Sequence, residues 1–445
     1  MSVGDGATVS SGADDRYLSD PNRISARTPA EARRVAFAGG IGTLIEYYDF
    51  ALYGYVSTII APLFFPSNDP ITSLLAVLAV FAVSYVVRPI GGIFFGWVGD
   101  QHGRRKALVV TVIGIGFANT AIGLLPTYAV AGVLAPILLL AIRIVQGFFA
   151  GGEVGGAATV IAEAAPPGMR ARYGAFTPMG TNGGFAIAAA AVGIVSGVLA
   201  TDQLDTWGWR IPFLLGLPLT IVCYMARRTL PDIDKNVSPG KHGFPLLSTL
   251  RSHPKALLQA TALGIGVQGA AYIGSTFVSI YLVTNLHYAK SPVYWITAGV
   301  TLVAVGLMPF TGRLADRIGS LEVAAIGLVG YAALTYPAFL LMGVGSLALA
   351  ALGYVLIMVN MAFLQVASFT VTPQLFPQEV RYTGTALATN LSVVVAGGTA
   401  PYVATWLVRQ TNDLRSPYYF VAVTCLIGLI AVTTMRKQSH ASSAA

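Results

Sequence analysis

Apolar and polar residues fall in long blocks along the chain and do not alternate in twos. Twelve mainly apolar runs stand out, at about 35–62, 71–98, 107–125, 129–164, 172–200, 209–229, 256–285, 292–311, 321–342, 346–375, 381–408 and 417–435. A helix needs about 20 such residues to cross a bilayer, and the longest runs predict helices that tilt or project into water. The runs are rich in Gly and Ala and lack the alternation of a membrane β-barrel. The pattern predicts an all-α integral membrane protein with 12 transmembrane helices. Residues 1–34 are polar, have no apolar core of a secretory signal, and are expected to be a disordered cytoplasmic tail. Residues 35–229 form a first set of six helices, 230–255 a cytoplasmic linker, 256–435 a second set of six, and 436–445 a short cytoplasmic tail.

Composition agrees with this and narrows the class. Charged residues make up 10% and hydrophobic residues 55% of the chain, and the mean hydropathy is +0.69. That excludes a soluble globular domain, a disordered chain and a disulfide scaffold. The net charge of +8 is not a nucleic-acid patch, because 21 of the 27 Lys and Arg lie in segments on the side of the N-terminal tail. Positive charge gathers in cytoplasmic loops, so both termini are expected in the cytoplasm of a multi-pass protein of the cell membrane. Cys223 and Cys425 lie within apolar runs and read as small apolar residues.

The two halves repeat. Gly96-Trp97-Val98-Gly99-Asp100 aligns with Gly312-Arg313-Leu314-Ala315-Asp316 at an offset of 216, which also carries Glu163 onto Glu379. Arg172-Tyr173 returns as Arg381-Tyr382, and Asn182 as Asn390. Two pseudo-symmetric six-helix bundles imply a transporter with its site between them near mid-membrane.

Charges within the runs carry the chemistry, since each costs about 2.5–3.5 kcal/mol at the bilayer centre. They are Glu46, Asp49, Arg88, Arg143 and Glu153, all in the first half. Glu46 and Asp49 share a helix face. All five histidines lie in loops, tails or at a run end, so a carboxylate is expected to carry any coupled proton. Guanidinium binds carboxylate through two parallel hydrogen bonds, which makes Arg88 and Arg143 candidate substrate ligands. Tyr53, one turn after Asp49, and Gln146, three residues after Arg143, are candidate substrate ligands beside them. The second half offers uncharged groups, Gln268, Tyr272 and Tyr281 in the seventh run and Asn360 and Gln365 in the tenth. No Ser/His/Asp set or metal-ligand cluster stands at mid-membrane, so neither an enzyme nor a cofactor is expected. Gly264-x-Gly266-x-x-Gly269 fits a dinucleotide fingerprint but lies inside an apolar helix, where it reads as close packing.

Several segments together carry a family resemblance. They are Gly96-x-x-x-Asp100-x-x-Gly103-Arg104-Arg105-Lys106, Glu46-Tyr47-Tyr48-Asp49-Phe50, Arg88-Pro89-Ile90-Gly91-Gly92, Arg143-x-x-Gln146-Gly147, Gly151-Gly152-Glu153-x-Gly155-Gly156, and Leu375-Phe376-Pro377 with Arg381-Tyr382-Thr383-Gly384. From 35 to 435 the chain resembles the metabolite:proton symporters of the major facilitator superfamily, which include uptake systems for 2-oxoglutarate, citrate, shikimate and proline/betaine. Tyr47 stands where that family has Trp, and Ser320 where it has a basic residue. The resemblance implies a cytoplasmic gate in which Asp100 meets the N-terminus of the eleventh helix and Asp316 mirrors it at the fifth. Gly96, Gly103, Arg104, Arg105, Glu163, Glu379 and Arg381 complete that gate. It also implies a switch in which protonated Asp49 releases Arg143 to substrate, with Glu46 and Glu153 as alternative carriers. The leading expectation is proton-coupled import of a small mono-, di- or tricarboxylate by alternating access. The alternatives are a zwitterionic osmolyte of the proline/betaine kind, an exporter, and a non-transporting sensor.

Overall fold

The computed structural model describes residues 29–102, 104–151, 161, 165–166, 168–228, 251–377 and 380–444, and these contain helices and no strand. The main helices are α1 (Pro29–Phe64), α2 (Pro70–His102), α3 (Arg104–Leu124), α4 (Leu134–Ala150), α5 (Arg170–Val198), α6 (Gly208–Met225), α7 (Pro254–Thr284), α8 (Lys290–Ile318), α9 (Ser320–Met342), α10 (Leu347–Gln374), α11 (Thr383–Thr411) and α12 (Pro417–Gln438). Among the described residues, nine helices are long and apolar enough to cross a membrane, and Val109–Leu124 and Leu134–Ala150 are shorter apolar helices. Only helices and closed barrels satisfy every backbone group without water, which is why apolar runs this long become helices. Large side chains point outward along them, among them Phe117, Phe310 and Leu426.

Helices extend beyond the apolar runs at both ends of the chain. α1 begins at Pro29, inside the segment expected to be an unstructured tail, and the last helix runs on to Ala444 through the expected C-terminal tail. Counting apolar residues finds only the part of a helix that lies in hydrocarbon. Polar helix formers such as Arg33 and Lys437, both exposed, continue it. The segment 229–250 lies outside the described residues.

The repeat reappears in the packing. In the first half α1 packs on α5, α2 on α4 and α3 on α6, and in the second half α7 packs on α11, α8 on α10 and α9 on α12. The halves meet through α5 against α8 and α2 against α11, a pair of contacts that exchange under the same repeat. α7 and α11 each contain a wide π-helical turn, Ile273–Phe277 and Val393–Gly397. Such turns release a backbone carbonyl from the usual helical pattern.

The approach of α4 to α2 positions the site. A Cβ on Gly147 would stand 1.9 Å from the Ser84 carbonyl oxygen, and one on Gly151 would stand 1.9 Å from that of Arg88. With no hydrophobic drive between helices in lipid, such close backbone contact supplies the association. It also brings Arg143, one turn before Gly147, within reach of Ser84. Gly147→Ala is therefore expected to lower the melting temperature of the purified protein by roughly 5 °C or more. Gly299→Ala, where a Cβ meets nothing within 4 Å, serves as the control, and a fluorescence thermal-shift measurement compares the two.

Candidate functional site

At mid-height of the first half, α1, α2 and α4 bring together Phe50, Tyr53, Phe81, Ser84, Tyr85, Arg88, Arg143 and Gln146, all fully or nearly buried. Arg143 donates Nη1 to Gln146 Oε1 (2.5 Å) and Nη2 to Ser84 Oγ (2.8 Å). Its Cζ sits 4.1 Å from the centroid of the Tyr53 ring, and the Tyr53 hydroxyl donates to the Val77 carbonyl (3.2 Å). Tyr53 thus fixes Arg143 through its face and α2 through its edge.

Arg88 is held differently. It is 1% exposed, and its Nε, Nη1 and Nη2 have no hydrogen-bond partner among the described residues. The Tyr47 hydroxyl stands beside it. Its Cζ lies 3.9 Å from the Phe50 centroid and 4.4 Å from that of Tyr85, so two aromatic faces are its nearest compensation. Nε of Arg143 and Nε2 of Gln146 also lack acceptors among the described residues. Each buried unmet donor costs about 1–3 kcal/mol, and more when charged. The centre therefore presents a surplus of N–H donors, the complement of a carboxylate.

The direct pair expected between Asp49 and Arg143 is absent among the described residues. Ser84 and Gln146 satisfy Arg143 from its own side. Asp49, 3% exposed, faces α3 and α6: its Oδ1 stands 3.2 Å from where a Cβ of Gly216 would lie, next to Asn119. Glu46 is 8% exposed and lies within the electrostatic reach of Arg88 and Tyr85. Glu153 lies outside the described residues.

Tyr272 of α7 closes the centre from the second half. Its hydroxyl shares a hydrogen bond with that of Tyr85 (2.9 Å), and its ring meets Phe185 of α5 edge to face. Gln365 of α10 accepts from the Asn182 side-chain amide of α5 in a short bond across the halves. Asn360 turns away: its amide donates to Leu356 O (2.8 Å) and its oxygen packs on Gly330 of α9. Tyr281 packs edge to face on Phe339, also within the second half. Gln268 lines a small cavity of about 20 Å³, room for one water, with Ser368, Thr372, Thr385, Thr389 and Ser392.

Both ends of the inter-half seam are also tied. At the end where α2 finishes, Asp316 accepts from the backbone N–H groups of Ala171 (2.8 Å) and Arg172 (3.2 Å) at the N-terminus of α5. The Arg172 Nε lies 3.9 Å away. The helix dipole favours an anion there. Gly96, expected to let helices approach closely, has nothing within 4 Å of a Cβ. Arg381 Nε donates to Phe376 O at 3.4 Å. Gly103, Glu163, Glu379 and the side chains of Asp100, Arg104 and Arg105 lie outside the described residues.

At the opposite end Asp69 caps α2 by accepting from Ile71 N (3.0 Å) and Thr72 Oγ1 (2.8 Å), and pairs with Arg409 of α11 at 2.8 Å. The Thr72 hydroxyl, the Ile71 amide and Arg409 hold the Asp69 carboxyl below the usual carboxylate range. The pair therefore persists above about pH 4 and is lost only as pH falls further. Just inside it, the Tyr55 hydroxyl donates to Ser275 O in the wide turn of α7 (2.7 Å), and Tyr294 of α8 donates to Tyr55 O (2.6 Å). Sequence reasoning missed these residues. Ser84 and Tyr85 carried a signal, one turn before Arg88 on the same run, whereas nothing links Asp69 to Arg409 along the chain.

The comparisons fit this geometry. Over 421 residues the chain is 34% identical to the proline/betaine transporter of Salmonella typhimurium, covering 92% of this chain and 84% of that protein. The chain belongs to the major facilitator superfamily. Residues 262–445 match that superfamily's own description, and residues 35–233 match the family described as sugar (and other) transporter. The glycine betaine/proline/ectoine/pipecolic acid transporter OusA of Dickeya dadantii is 34% identical over 441 residues, with 96% and 86% of the two chains covered. In fold the chain is similar to the proton:xylose symporter XylE bound to 6-bromo-6-deoxy-D-glucose, with a TM-score of 0.71, 16% identity, and 92% and 96% of the chains covered. These facilitator relatives are transporters and not enzymes. They support the zwitterionic osmolyte among the expectations and lend none to the small organic acid that led them.

The Asp316 contact yields a test. Asp316→Asn is expected to leave membrane levels unchanged and to raise maleimide labelling of Thr389→Cys roughly threefold to thirtyfold, as that end of the seam opens. Background is low because Cys223 and Cys425 are buried. Unchanged labelling would count against Asp316 as a latch.

Proposed function

We propose that this facilitator is a proton-coupled symporter that imports a small zwitterionic osmolyte of the proline/betaine class across the cell membrane. On this reading it has twelve spans in two six-helix bundles with both termini cytoplasmic, and works by alternating access. The observation that carries the proposal is Arg88, a buried guanidinium with no hydrogen-bond acceptor among the described residues, set against two aromatic rings within a donor-rich centre. A carboxylate answers its donors, and the named relatives carry solutes that have one. Arg143 Nε and Gln146 Nε2 supply further donors from α4, while Tyr272 and Gln365 engage from the second half. Tyr53 holds Arg143 in place. Gln268, in the hydroxyl-lined cavity between α7, α10 and α11, stands on the release path.

Asp49 is the proposed proton carrier, with Glu46 and Glu153 as alternatives. In the state described here Arg143 rests on Ser84 and Gln146. Coupling then requires Arg143 to leave these neutral partners for ionised Asp49 in another state, and to return when Asp49 is protonated. Asp316 at α5, and Asp100 with Gly103, Arg104, Arg105, Glu163, Glu379 and Arg381 at α11, form the cytoplasmic gate. Asp69–Arg409 and Tyr55–Ser275 close the outer side.

Proteoliposomes with an inward proton gradient are expected to accumulate labelled glycine betaine or proline above the external concentration. Asp49→Asn is expected to abolish that accumulation while retaining counterflow exchange. Gradient-driven accumulation by the variant would remove Asp49 from the role, and no uptake of either solute by the native protein would overturn the osmolyte reading.

A further inference from the structure

In this structure the aromatic faces beside the carboxylate-binding guanidinium are already taken by the protein's own cation. Arg88 Cζ is 3.9 Å from the Phe50 centroid and 4.4 Å from that of Tyr85, and those rings stand 5.6 Å apart at 46°. Arg143 Cζ also lies 5.7 Å from the Phe50 centroid. Phe50 and Tyr85 are fully buried, so no water replaces a cation that leaves them. Desolvated cation–π contacts are the strong ones.

The guanidinium donors lie in its plane, and its central carbon lies over both rings. A carboxylate binds in the plane, and two parallel hydrogen bonds draw the group toward the incoming oxygens. A plain anion would thus complete the hydrogen bonds of Arg88 and strip Phe50 and Tyr85 of their cation. A zwitterion, with an ammonium one carbon from the carboxylate, brings a replacement charge over a distance of a few ångströms.

Resting on the osmolyte reading and deepening it, we propose that Phe50 and Tyr85 form a cation-exchange seat. The ammonium group of the substrate takes the place of the Arg88 guanidinium on these rings as its carboxylate draws that guanidinium away. The exchange makes the site selective for zwitterions over anions of the same shape. Tyr85 links the seat to the second half through its hydroxyl bond to Tyr272, so occupancy of the seat is felt at the inter-half contact.

The test compares two ligands that differ only in this charge, glycine betaine and its carbon isostere 3,3-dimethylbutanoate. Each competes with labelled glycine betaine for the full chain in nanodiscs. The native protein is expected to bind the isostere at least about tenfold more weakly. Phe50→Leu is expected to shrink that ratio to below about threefold, and Phe50→Tyr, which keeps an aromatic face, to preserve it. Equal affinity of the two ligands for the native protein overturns the exchange seat and leaves the osmolyte reading standing, and so does a ratio that survives in Phe50→Leu. Absence of binding of both glycine betaine and proline to the native, folded protein overturns the osmolyte reading itself.

Discussion

Two guanidinium groups buried side by side in a membrane-embedded bundle set the terms for everything around them. Neither forms an ion pair within 4 Å among the described residues. Their charge is borne by aromatic faces and, for Arg143, by Ser84 and Gln146. Burial of this kind is costly, and apolar residues would hold the helices together as well. On the proposed function, a carboxylate that arrives in every cycle would complete what the described residues leave open. The aromatic wall and the glycine-mediated approach of α4 to α2 both follow from keeping these cations in place.

The contacts between the halves have a common character. Tyrosine hydroxyls on backbone carbonyls, an amide on an amide, and carboxylates on a helix N-terminus and an arginine span the seam from one end to the other. Each can exchange with water or with a partner in another state, so the two ends can open in turn without a large net change in energy. Within each half the helices are held mainly by close backbone approaches and dense apolar packing, with Arg143 on Ser84 and Gln146 among the exceptions. Rigid halves joined by replaceable bonds are what alternating access requires.

Arginine explains why an organic acid and a zwitterion looked alike at first. It reads a carboxylate, and both solutes have one. What separates them is the positive end, for which the proposed seat is a pair of rings contributed by two helices. No spacing along the chain marks a ring face as available.

Much of the molecule was legible in the sequence because bilayer physics acts on local composition. Apolar runs of about 20 residues become helices, small residues mark close approach, and charge cannot enter hydrocarbon without purpose. That was enough to find Arg88, Arg143, Asp49 and Glu46, whereas the Asp316 contact was what the family resemblance implied, carried to the second half by the repeat. What remained undecided was direction. Asp49 and Arg143 were both placed in the centre, yet helix rotation turns Asp49 toward α3 and α6 while Arg143 is met by Ser84. Asn360 and Gln365 share α10, yet one turns to α9 and the other crosses to Asn182. Sequence by itself determined which residues are buried together, because burial follows from composition. Tertiary structure alone decided which of them face each other, because a side chain's partner depends on the rotation and approach of helices far apart in the chain.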